Sequence, residues 1–587
     1  MSTIQLNSEQ QAMLSGEHGR AKQMAMRLLL DMAAAAGASE LIPIQSAHLA
    51  GVSPLTGGLG LRTFLARLGK DTQAQVAVST TLNAAGCDEA QFASMKIVAP
   101  NFREHNHEIV AAYTRLGVRP TQSCIPYEWE GVVVEGTAAW AESNAICFGN
   151  SYTELVTNRE SGLSALACAL TGYTPKYGLL HEDTRRPNLA VTVTADLEDF
   201  TDFSILGDWI GMQRTPDWQT PYGPIPLIKG LSAKLNHEQK KALTAAAANY
   251  GSPMVYIEGL GPAPEGNFQA DLIFDEAALQ KRYDDLAPGT AVSLITIGCP
   301  QASVGEMRAV AELLRGKQVH PAAPPLWVFT SSANKAIAEK TGLAQIITAA
   351  GALLLENTCP EVVPYDPAWV KHILTNSMKA EHYIKSGLNG IPTSVMKLAD
   401  CIALAVGDWE IGDRRLEIGD QSKSPHSSLP HRLTASPPHL VTGPFNAHGR
   451  GLPSQTNFTV TGEAFVTDTP ITLLGFVNRE TGEIEEEGHP ANGRTLANKI
   501  AIFPKGSGST VAPYVLLELY YRGKAPLAIV NTEIDQQSAP ACSLESIPYA
   551  YNFDGDVIGQ INDGDIVQLT RNGEQVHILV VQRQVYS

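Results

Sequence analysis

Three cysteines stand in short segments that contain proline and have the composition of turns. Cys124 lies in Ser-Cys-Ile-Pro-Tyr, Cys299 in Gly-Cys-Pro and Cys359 in Thr-Cys-Pro. Apolar runs typical of buried strands, residues 291–298 and 350–355, precede the second and third of these segments. Because strand ends in an α/β protein meet at one crevice, thiolates from three loops could hold zinc or an iron–sulfur cluster with one open iron position. The alternative is that each cysteine is only a small residue in a tight turn. The spacing does not decide between the two, because no Cys-x-x-Cys pair is present.

Two other segments have residue types suited to binding a substrate. Residues 505–510, Lys-Gly-Ser-Gly-Ser-Thr, follow a predicted strand, and their small side chains would let backbone N–H groups approach a ligand; the alternative is a flexible turn. In residues 157–160, Arg159 stands among hydroxyls and amides and could bind a carboxylate through two hydrogen bonds. The alternative there is a helix cap with a surface arginine. His18 and His48 could transfer protons, although a lone histidine is more often structural or exposed.

Length and composition restrict the class of protein. A chain of 587 residues with 44% hydrophobic and 18% charged residues predicts several globular domains. The net charge of −17 argues against nucleic acid or an anionic membrane as the main partner. The first 17 residues lack the pattern of a signal peptide, and no apolar run is long enough to span a membrane. We therefore expect a cytoplasmic location and free cysteines rather than a disulfide framework.

The chain divides into three parts by its patterns. Helix and strand patterns alternate to about residue 405, which predicts an α/β fold with parallel sheets and flanking helices. Residues 419–444 are rich in Ser, Pro and His and have linker composition. Residues 445–587 predict a compact, strand-rich domain. Among the predicted elements are helices at 8–36, 59–68, 238–250 and 304–314, and strands at 41–44, 75–79, 254–258, 326–329, 458–465, 471–477, 499–503, 515–520, 527–530, 566–570 and 576–581.

Many short segments, in order along nearly the whole chain except the linker, resemble the aconitase X family, a divergent branch of the aconitase superfamily. In the first part the matching segments begin at Gly16 (Gly-Glu-His-Gly), His48 (His-Leu-Ala-Gly-Val-Ser), Thr81 (Thr-Leu-Asn), Ser123 (Ser-Cys-Ile-Pro-Tyr), Ala141 (Ala-Glu-Ser-Asn-Ala), Asn150 (Asn-Ser), Thr157 (Thr-Asn-Arg-Glu), Gly298 (Gly-Cys-Pro), Thr358 (Thr-Cys-Pro) and Thr375 (Thr-Asn-Ser-Met-Lys-Ala). In the last part they begin at Gly462, Glu480, Gly488, Gly506 and Arg522.

The resemblance implies an aconitase-like fold in which the two subunits of the family are fused. Residues 1–418 are similar to the large subunit and residues 445–587 to the small, swivelling one, so no obligate partner chain is expected. Fused members resemble bacterial cis-3-hydroxy-L-proline dehydratases, which remove water and yield Δ1-pyrroline-2-carboxylate. Split members resemble mevalonate 5-phosphate dehydratases. Gln301 stands where the family often has histidine, and Ser507 stands where it often has arginine. The missing arginine favours a small zwitterionic amino acid over a phosphorylated substrate.

The resemblance also implies roles for individual residues. Cys124, Cys299 and Cys359 are the expected ligands of an iron–sulfur cluster, [2Fe-2S] by similarity to the fused branch, that acts as Lewis acid on the leaving hydroxyl. Cys401 is a possible fourth ligand, although its surroundings predict a buried helix. Ser509 is the expected base for the Cα proton, with Arg159 on the substrate carboxylate. The remaining expected substrate-binding residues are polar: Thr81, Asn83, Ser143, Asn144, Asn158, Lys379, Ser507 and Thr510.

Three alternatives stay open at this point. One is a mevalonate 5-phosphate dehydratase, which would need a phosphate pocket for which the sequence has no clear basic cluster. Another is an iron-responsive regulatory or RNA-binding protein, which the acidic charge disfavours. The third is a structural zinc site.

Overall fold

The computed structural model describes residues 4–213, 223–232, 234–408, 410–411, 414–415, 443–507, 509–535 and 537–584. Three parallel β-sheets with flanking helices are followed by a closed β-barrel. This is the α/β architecture with a strand-rich terminal domain that the sequence predicts. The predicted linker, residues 419–444, lies outside the described residues except for its last two positions. No described helix has the length and apolar character needed to cross a membrane.

The first domain is built on a four-stranded parallel sheet. The strands of the domain are β1 (Leu41–Pro43), β2 (Ser46–Leu49), β3 (Ser79–Leu82), β4 (Glu135–Trp140), β5 (Glu154–Arg159) and β6 (Tyr173–Pro175). The four-stranded sheet has the order β3-β2-β4-β5, and β1 and β6 form a separate antiparallel pair. Its helices are α1 (Ser8–Ser15), α2 (Arg20–Ala36), α3 (Pro54–Leu68), α4 (Phe102–Arg115), α5 (Ser143–Tyr152) and α6 (Gly162–Thr171). The predicted helix at 8–36 is broken in two, because Gly16 and Gly19 both adopt positive φ.

The second and third domains each contain one parallel sheet. In the second domain, β7 (Leu189–Val193), β8 (Pro226–Lys229), β9 (Tyr256–Ile257) and β10 (Ala270–Phe274) are ordered β10-β7-β8-β9 and pack against α7 (Phe200–Met212), α8 (His237–Ala247) and α9 (Glu276–Leu286). In the third domain, β11 (Leu294–Ala302), β12 (Leu326–Thr330), β13 (Leu353–Glu356), β14 (Ile373–Thr375) and β15 (Thr393–Val395) are ordered β13-β12-β11-β14-β15. Its helices are α10 (Val304–Leu314), α11 (Ser332–Lys340), α12 (Leu343–Ala349), α13 (Met378–Tyr383) and α14 (Leu398–Ala405). Two short strands, β16 (Glu410–Ile411) and β17 (Arg414–Arg415), form an antiparallel pair.

The terminal domain is a closed barrel of seven strands. They are β18 (Asn446–Gly451), β19 (Thr459–Val466), β20 (Ile500–Ile502), β21 (Ala528–Asn531), β22 (Tyr549–Tyr551), β23 (Ile566–Asn572) and β24 (Gln575–Gln582), in the order β18-β22-β21-β20-β19-β23-β24. Its helices are α15 (Leu473–Phe476), α16 (Pro513–Tyr521), α17 (Ala539–Glu545) and α18 (Val557–Gln560). The strands predicted at 471–477 and 515–520 are wrong, since α15 and α16 occupy those residues. Residues 515–520 are apolar except for Glu518 and buried except for Tyr520, and period alone cannot distinguish a buried helix of this kind from a buried strand.

Helix α16 fastens the barrel to the first domain. Tyr514 donates a hydrogen bond to the carbonyl of Ala50 at 3.2 Å. A Cβ on Gly51 or Gly60 would clash with Tyr514, so only glycine permits this close approach. The terminal domain is therefore packed directly over the carboxyl end of β2.

Candidate functional site

A cavity of about 60 Å³ lies where the first, third and terminal domains meet. Four parallel strands of the first domain, β2 to β5, have their carboxyl ends at this point, as expected for a ligand crevice in an α/β protein. The loop after β13 and helix α13 add the wall from the third domain, and the start of α16 adds the wall from the barrel. The polar lining residues are Thr56, Asn83, Cys124, Glu142, Ser143, Arg159, Cys359, Glu361, Lys379, Tyr383, Ser509 and Thr510.

The three predicted cysteines are brought together beside this cavity. Cys124 and Cys359 line it, and all three are buried, with 2%, 8% and 5% exposure for Cys124, Cys299 and Cys359. Burial raises the pKa of the Cys124 thiol to about 12 and raises those of Cys299 and Cys359 well above the usual range. A negative charge on Cys359 would raise the pKa of Cys299 further, and a negative charge on Cys124 would raise the pKa of Cys359. The three thiols therefore share one electrostatic environment.

The three thiols are soft donors of the kind that hold zinc or iron–sulfur clusters. Within the part of the chain that the structure describes, no three His, Cys, Asp or Glu side chains are placed to share one metal ion. A cluster spreads its ligands over several iron atoms and is held by cysteine thiolates. The backbone N–H of Gln301 also points at the Cys124 sulfur at 3.3 Å, a contact that favours a thiolate. Cys401, by contrast, lies in α14 and packs within the third-domain core, as its sequence predicts.

A buried lysine with two carboxylates forms the charged centre of the cavity. Lys379, 2% exposed, donates to Glu142 at 2.5 Å and to the Asn144 side-chain oxygen at 2.6 Å, and lies 3.4 Å from Glu361. Glu142 also accepts from the Asn83 amide at 2.6 Å.

The three charges control one another. Burial opposes the charge of Lys379, but Glu142 and Glu361 outweigh it and raise the pKa of the ammonium well above its usual range. Burial likewise opposes ionisation of Glu142, yet the ammonium of Lys379 holds the pKa of that carboxyl below its ordinary value. The pKa of Glu361 is raised, because burial and the neighbouring Glu142 exceed the attraction of Lys379. Lys379 is thus charged and already neutralised by protein carboxylates.

Ser509 reaches the cavity from the terminal domain. Its hydroxyl accepts a hydrogen bond from the backbone N–H of Val511 at 3.3 Å, and α16 begins four residues later. The adjacent Thr510 donates to the carbonyl of Ala141 at 3.0 Å and accepts from the N–H of Gly162 at 3.1 Å. These two contacts fix the loop against the first domain with Ser509 facing inward.

Arg159 is the last residue of β5 and is half-buried in the cavity wall. Among the described residues its guanidinium has no hydrogen bond or ion pair with a protein group. Arg159 can therefore offer its donors to a ligand.

The structure separates the other predicted binding residues into two groups. Asn83, Ser143, Lys379 and Thr510 line the cavity, whereas Thr81, Asn144, Asn158 and Ser507 do not. The second group is bonded to protein: Thr81 to His48 at 2.8 Å, Asn144 to Lys379, Asn158 to the backbone of Tyr177 and Leu179, and Ser507 to Thr472 at 2.6 Å. Direct substrate contact by these four stays a prediction without support from the lining.

His48 is fully buried at the end of β2. Burial lowers its pKa to about 4, so the imidazole is neutral. Its Nδ1 lies 2.8 Å from the Thr81 hydroxyl, and its ring packs beside Trp140 at 5.9 Å. This environment agrees with a structural histidine rather than with proton transfer.

Sequence reasoning missed Glu142, Glu361 and Tyr383. Each stands close to a residue that was singled out: Glu142 directly before Ser143, Glu361 two positions after Cys359, and Tyr383 on the same helix as Lys379. The signal that could have found the two glutamates is their position just after strands β4 and β13. The pairing of Glu142 with Lys379, more than two hundred residues away, was not readable from spacing.

Comparisons with known proteins identify the family of the chain. Models of the aconitase X first domain, third domain and swivel domain match residues 3–183, 292–407 and 453–578. The phosphomevalonate dehydratase large subunit of Thermococcus kodakarensis is 33% identical over 394 residues, which cover 65% of this chain and 95% of that protein. The cis-3-hydroxy-L-proline dehydratase of Pseudomonas aeruginosa is 33% identical over 421 residues, 68% of this chain and 70% of that one.

The two ends of the chain match different subunits. The phosphomevalonate dehydratase small subunit of Methanosarcina acetivorans is 35% identical over 121 residues, 21% of this chain and 83% of that subunit. The crystal structure of the holo-form of Thermococcus kodakaraensis aconitase X superposes with a TM-score of 0.62 at 32% identity, covering 68% of this chain and all of that one. With counterparts of both subunits joined in one polypeptide, the chain belongs to the aconitase X family as a fused, single-chain member.

Proposed function

We propose that this protein is a hydro-lyase that dehydrates cis-3-hydroxy-L-proline. Removal of the Cα proton and the 3-hydroxyl leaves an enamine, which tautomerises to Δ1-pyrroline-2-carboxylate. The observation that carries the choice of substrate is the charge balance of the cavity. Among the described lining residues the cations are Arg159 and Lys379, and Lys379 is already bonded to Glu142 and lies beside Glu361. One unpaired cation remains, which matches one carboxylate.

A zwitterionic amino acid fits this balance. Its carboxylate would pair with Arg159, whose planar guanidinium suits bidentate binding. Its ammonium would face the carboxylates around Lys379. Mevalonate 5-phosphate carries a carboxylate and a phosphate, and the latter alone has a charge of about −2. No second unpaired cation lines the described cavity to bind it.

Ser509 is the proposed base for the Cα proton. A serine is a poor base unless its alkoxide is stabilised. Here the Val511 N–H donates to the hydroxyl oxygen, and the positive end of the nine-residue helix α16 lies four residues away. Both features favour a negative charge on that oxygen.

Cys124, Cys299 and Cys359 are the proposed ligands of an iron–sulfur cluster, for which [2Fe-2S] is the proposed type. When bound, the cluster supplies Lewis acidity for the leaving hydroxyl. Because burial keeps the free thiols protonated, loading must release protons and becomes more favourable as pH rises.

The terminal domain excludes water from the reaction. Leu474, Ser509, Thr510 and Val511 form the wall that it adds to the cavity. Opening of this domain would admit substrate, and its return would bring Ser509 to the Cα proton.

A paired substrate assay tests the proposal. Anaerobically reconstituted protein is incubated separately with cis-3-hydroxy-L-proline and with mevalonate 5-phosphate, and products are followed by mass spectrometry. Turnover of the proline alone is expected. As a control, trans-4-hydroxy-L-proline carries the same charges, but its hydroxyl is not on C3, the ring carbon bonded to Cα. It is therefore expected not to react. Turnover of only the phosphorylated compound would show that the substrate assignment is wrong.

The cofactor is tested separately. Iron, sulfide and the visible absorption spectrum are measured on protein purified without oxygen, alongside its activity. A colourless, iron-free preparation with full activity would remove the cluster from the proposal while leaving the substrate assay intact.

A further inference from the structure

Gln301 contacts all three cysteine-bearing segments. Its side-chain amide donates to the carbonyl of Thr358 at 2.9 Å, directly before Cys359, and to that of Gln122 at 3.2 Å, two residues before Cys124. Gln301 itself is two residues after Cys299, and its backbone N–H points at the Cys124 sulfur at 3.3 Å. One residue near the end of β11 thus joins the strand that carries Cys299 to the segments that carry Cys124 and Cys359, which are far apart in sequence.

The orientation of this amide is determined by its partners. Both partners are carbonyl oxygens, so the NH₂ group must face them and the side-chain oxygen must face away. That oxygen is buried without a hydrogen-bond partner in the structure, and Gln301 is 0% exposed. Burying an unpaired acceptor is unfavourable for stability. General packing therefore does not account for a glutamine here, whereas joining the loops does.

Lys241 of the second domain contacts the end of β11, which carries Gln301. Its ammonium, 1% exposed, donates to the carbonyl of Gln301 at 2.8 Å and lies 3.5 Å from that of Pro300. It is also paired with Glu306 on α10. Both the backbone and the side chain of Gln301 are thus fixed by groups outside its own segment.

From these contacts we infer that Gln301 is a positioning residue that sets the spacing of Cys124, Cys299 and Cys359 before a cluster binds. The inference rests on the proposed function, because it concerns the proposed ligands. Gln301 does not line the cavity and is not a catalytic residue. Without its amide the loops before Cys124 and Cys359 lose their common donor, and the three thiols are less well placed to bind iron.

The test is a comparison of Gln301→Met with the unchanged protein. Methionine has a similar length and volume but no donor. Both proteins are loaded anaerobically with ferrous iron and sulfide, then titrated with a chelator, and retained iron and cluster absorption are measured. Loss of an outer contact to metal ligands typically weakens metal binding about 10- to 100-fold, so the chelator midpoint is expected to fall by that factor. Retention equal to that of the unchanged protein would overturn the inference.

Gln10→Met is the matched control. Gln10 is also buried, and its amide donates to the carbonyl of Leu41 at 3.3 Å, but it lies on α1 outside the cavity. Its iron retention is expected to be unchanged. If Gln301→Met is not recovered folded, Gln301→Asn takes its place, since it keeps the amide but is too short to reach both carbonyls. The same loss is expected, and native retention would refute the inference equally.

A measurement on the cluster-free protein separates this inference from the proposed function. Alkylation of the three cysteines by iodoacetamide is followed by mass spectrometry, with Gln10→Met again as control. Faster alkylation of Cys124 and Cys359 in Gln301→Met is expected, because their loops are less constrained. If the unchanged protein takes up no iron and sulfide, the proposed cluster fails, yet the alkylation result still decides the role of Gln301. Equal alkylation rates would contradict that role.

Discussion

Replacing Lys241 by methionine should destabilise the third domain in a pH-dependent way. The ammonium of Lys241 is almost fully buried, contacts the carbonyls of two residues at the end of β11 and pairs with Glu306, which is 7% exposed. Methionine would fill much of the space but leave the Glu306 carboxylate without its cation. Removing one partner of a buried ion pair costs about 3–5 kcal/mol. The N–H of Ser303 still donates to that carboxylate at 2.7 Å, which reduces the loss of stability, but a neutral donor does not replace the positive charge of the ammonium.

The sign of the pH dependence follows from Glu306. Burial already raises the pKa of its carboxyl above the ordinary value even with Lys241 beside it, and loss of the ammonium must raise it further. A carboxyl whose folded pKa exceeds its unfolded one binds protons more tightly in the folded state, so stability falls as pH rises through that window. The cost of Lys241→Met should therefore be larger at about pH 8 than at about pH 5.5.

Hydrogen–deuterium exchange of peptides from β11 and α10 is the suitable assay, because a multidomain chain need not unfold in one step. A loss of about 3 kcal/mol corresponds to roughly a hundredfold faster exchange where it is limited by unfolding. Glu306→Gln supplies the control background, in which Lys241→Met should cost less and lose its pH dependence. A cost that is equal at both pH values and in both backgrounds would refute the assignment to the buried pair.

Three other changes test the site and the docking of the terminal domain. Ser509→Ala should reduce turnover by at least about 10²-fold with unchanged iron content, and near-normal turnover of this variant would exclude Ser509 as the base. Arg159→Met should raise KM about 10- to 100-fold, since a hydrogen bond to a charged group contributes about 1.5–3 kcal/mol, and an unchanged KM would place the carboxylate elsewhere. Asp31→Ala should loosen the barrel by about 2 kcal/mol or more, because the N–H and hydroxyl of Ser454 lose their acceptor; limited proteolysis near residue 452 measures this, and unchanged cleavage would contradict it.

The sequence predicted the elements whose residues show a strong local pattern. The helix at 304–314 and the strand at 326–329 are confirmed, because each is a periodic or apolar run with clear ends. The strand predicted at 515–520 is wrong, because these residues, apolar except for Glu518, suit a buried strand as well as a helix; Pro513 at the first turn of α16 was the signal for a helix start. The burial of this helix between the barrel and the first domain depends on tertiary packing, which the sequence of six residues does not reveal.

The sequence likewise placed some residues of the candidate site correctly and others not. Cys124, Cys359, Arg159 and Ser509 line one cavity because each follows or ends a strand, or precedes a helix, and such positions converge in parallel sheets. Residues such as Asn158 have the right chemistry and the right strand but are bonded to backbone away from the cavity, since neighbouring side chains on a strand point to opposite faces.

Fusion of the two parts has a physical consequence for the closed site. The barrel contributes Ser509, and it is docked through an apolar core that it shares with the first domain and through polar contacts such as Arg67 with Glu545. Separate chains would have to re-form these contacts by diffusion after each opening. Within one chain the effective concentration of the barrel at the cavity is set by the connecting residues instead. The covalent connection therefore favours the return of Ser509 to the cavity after each opening.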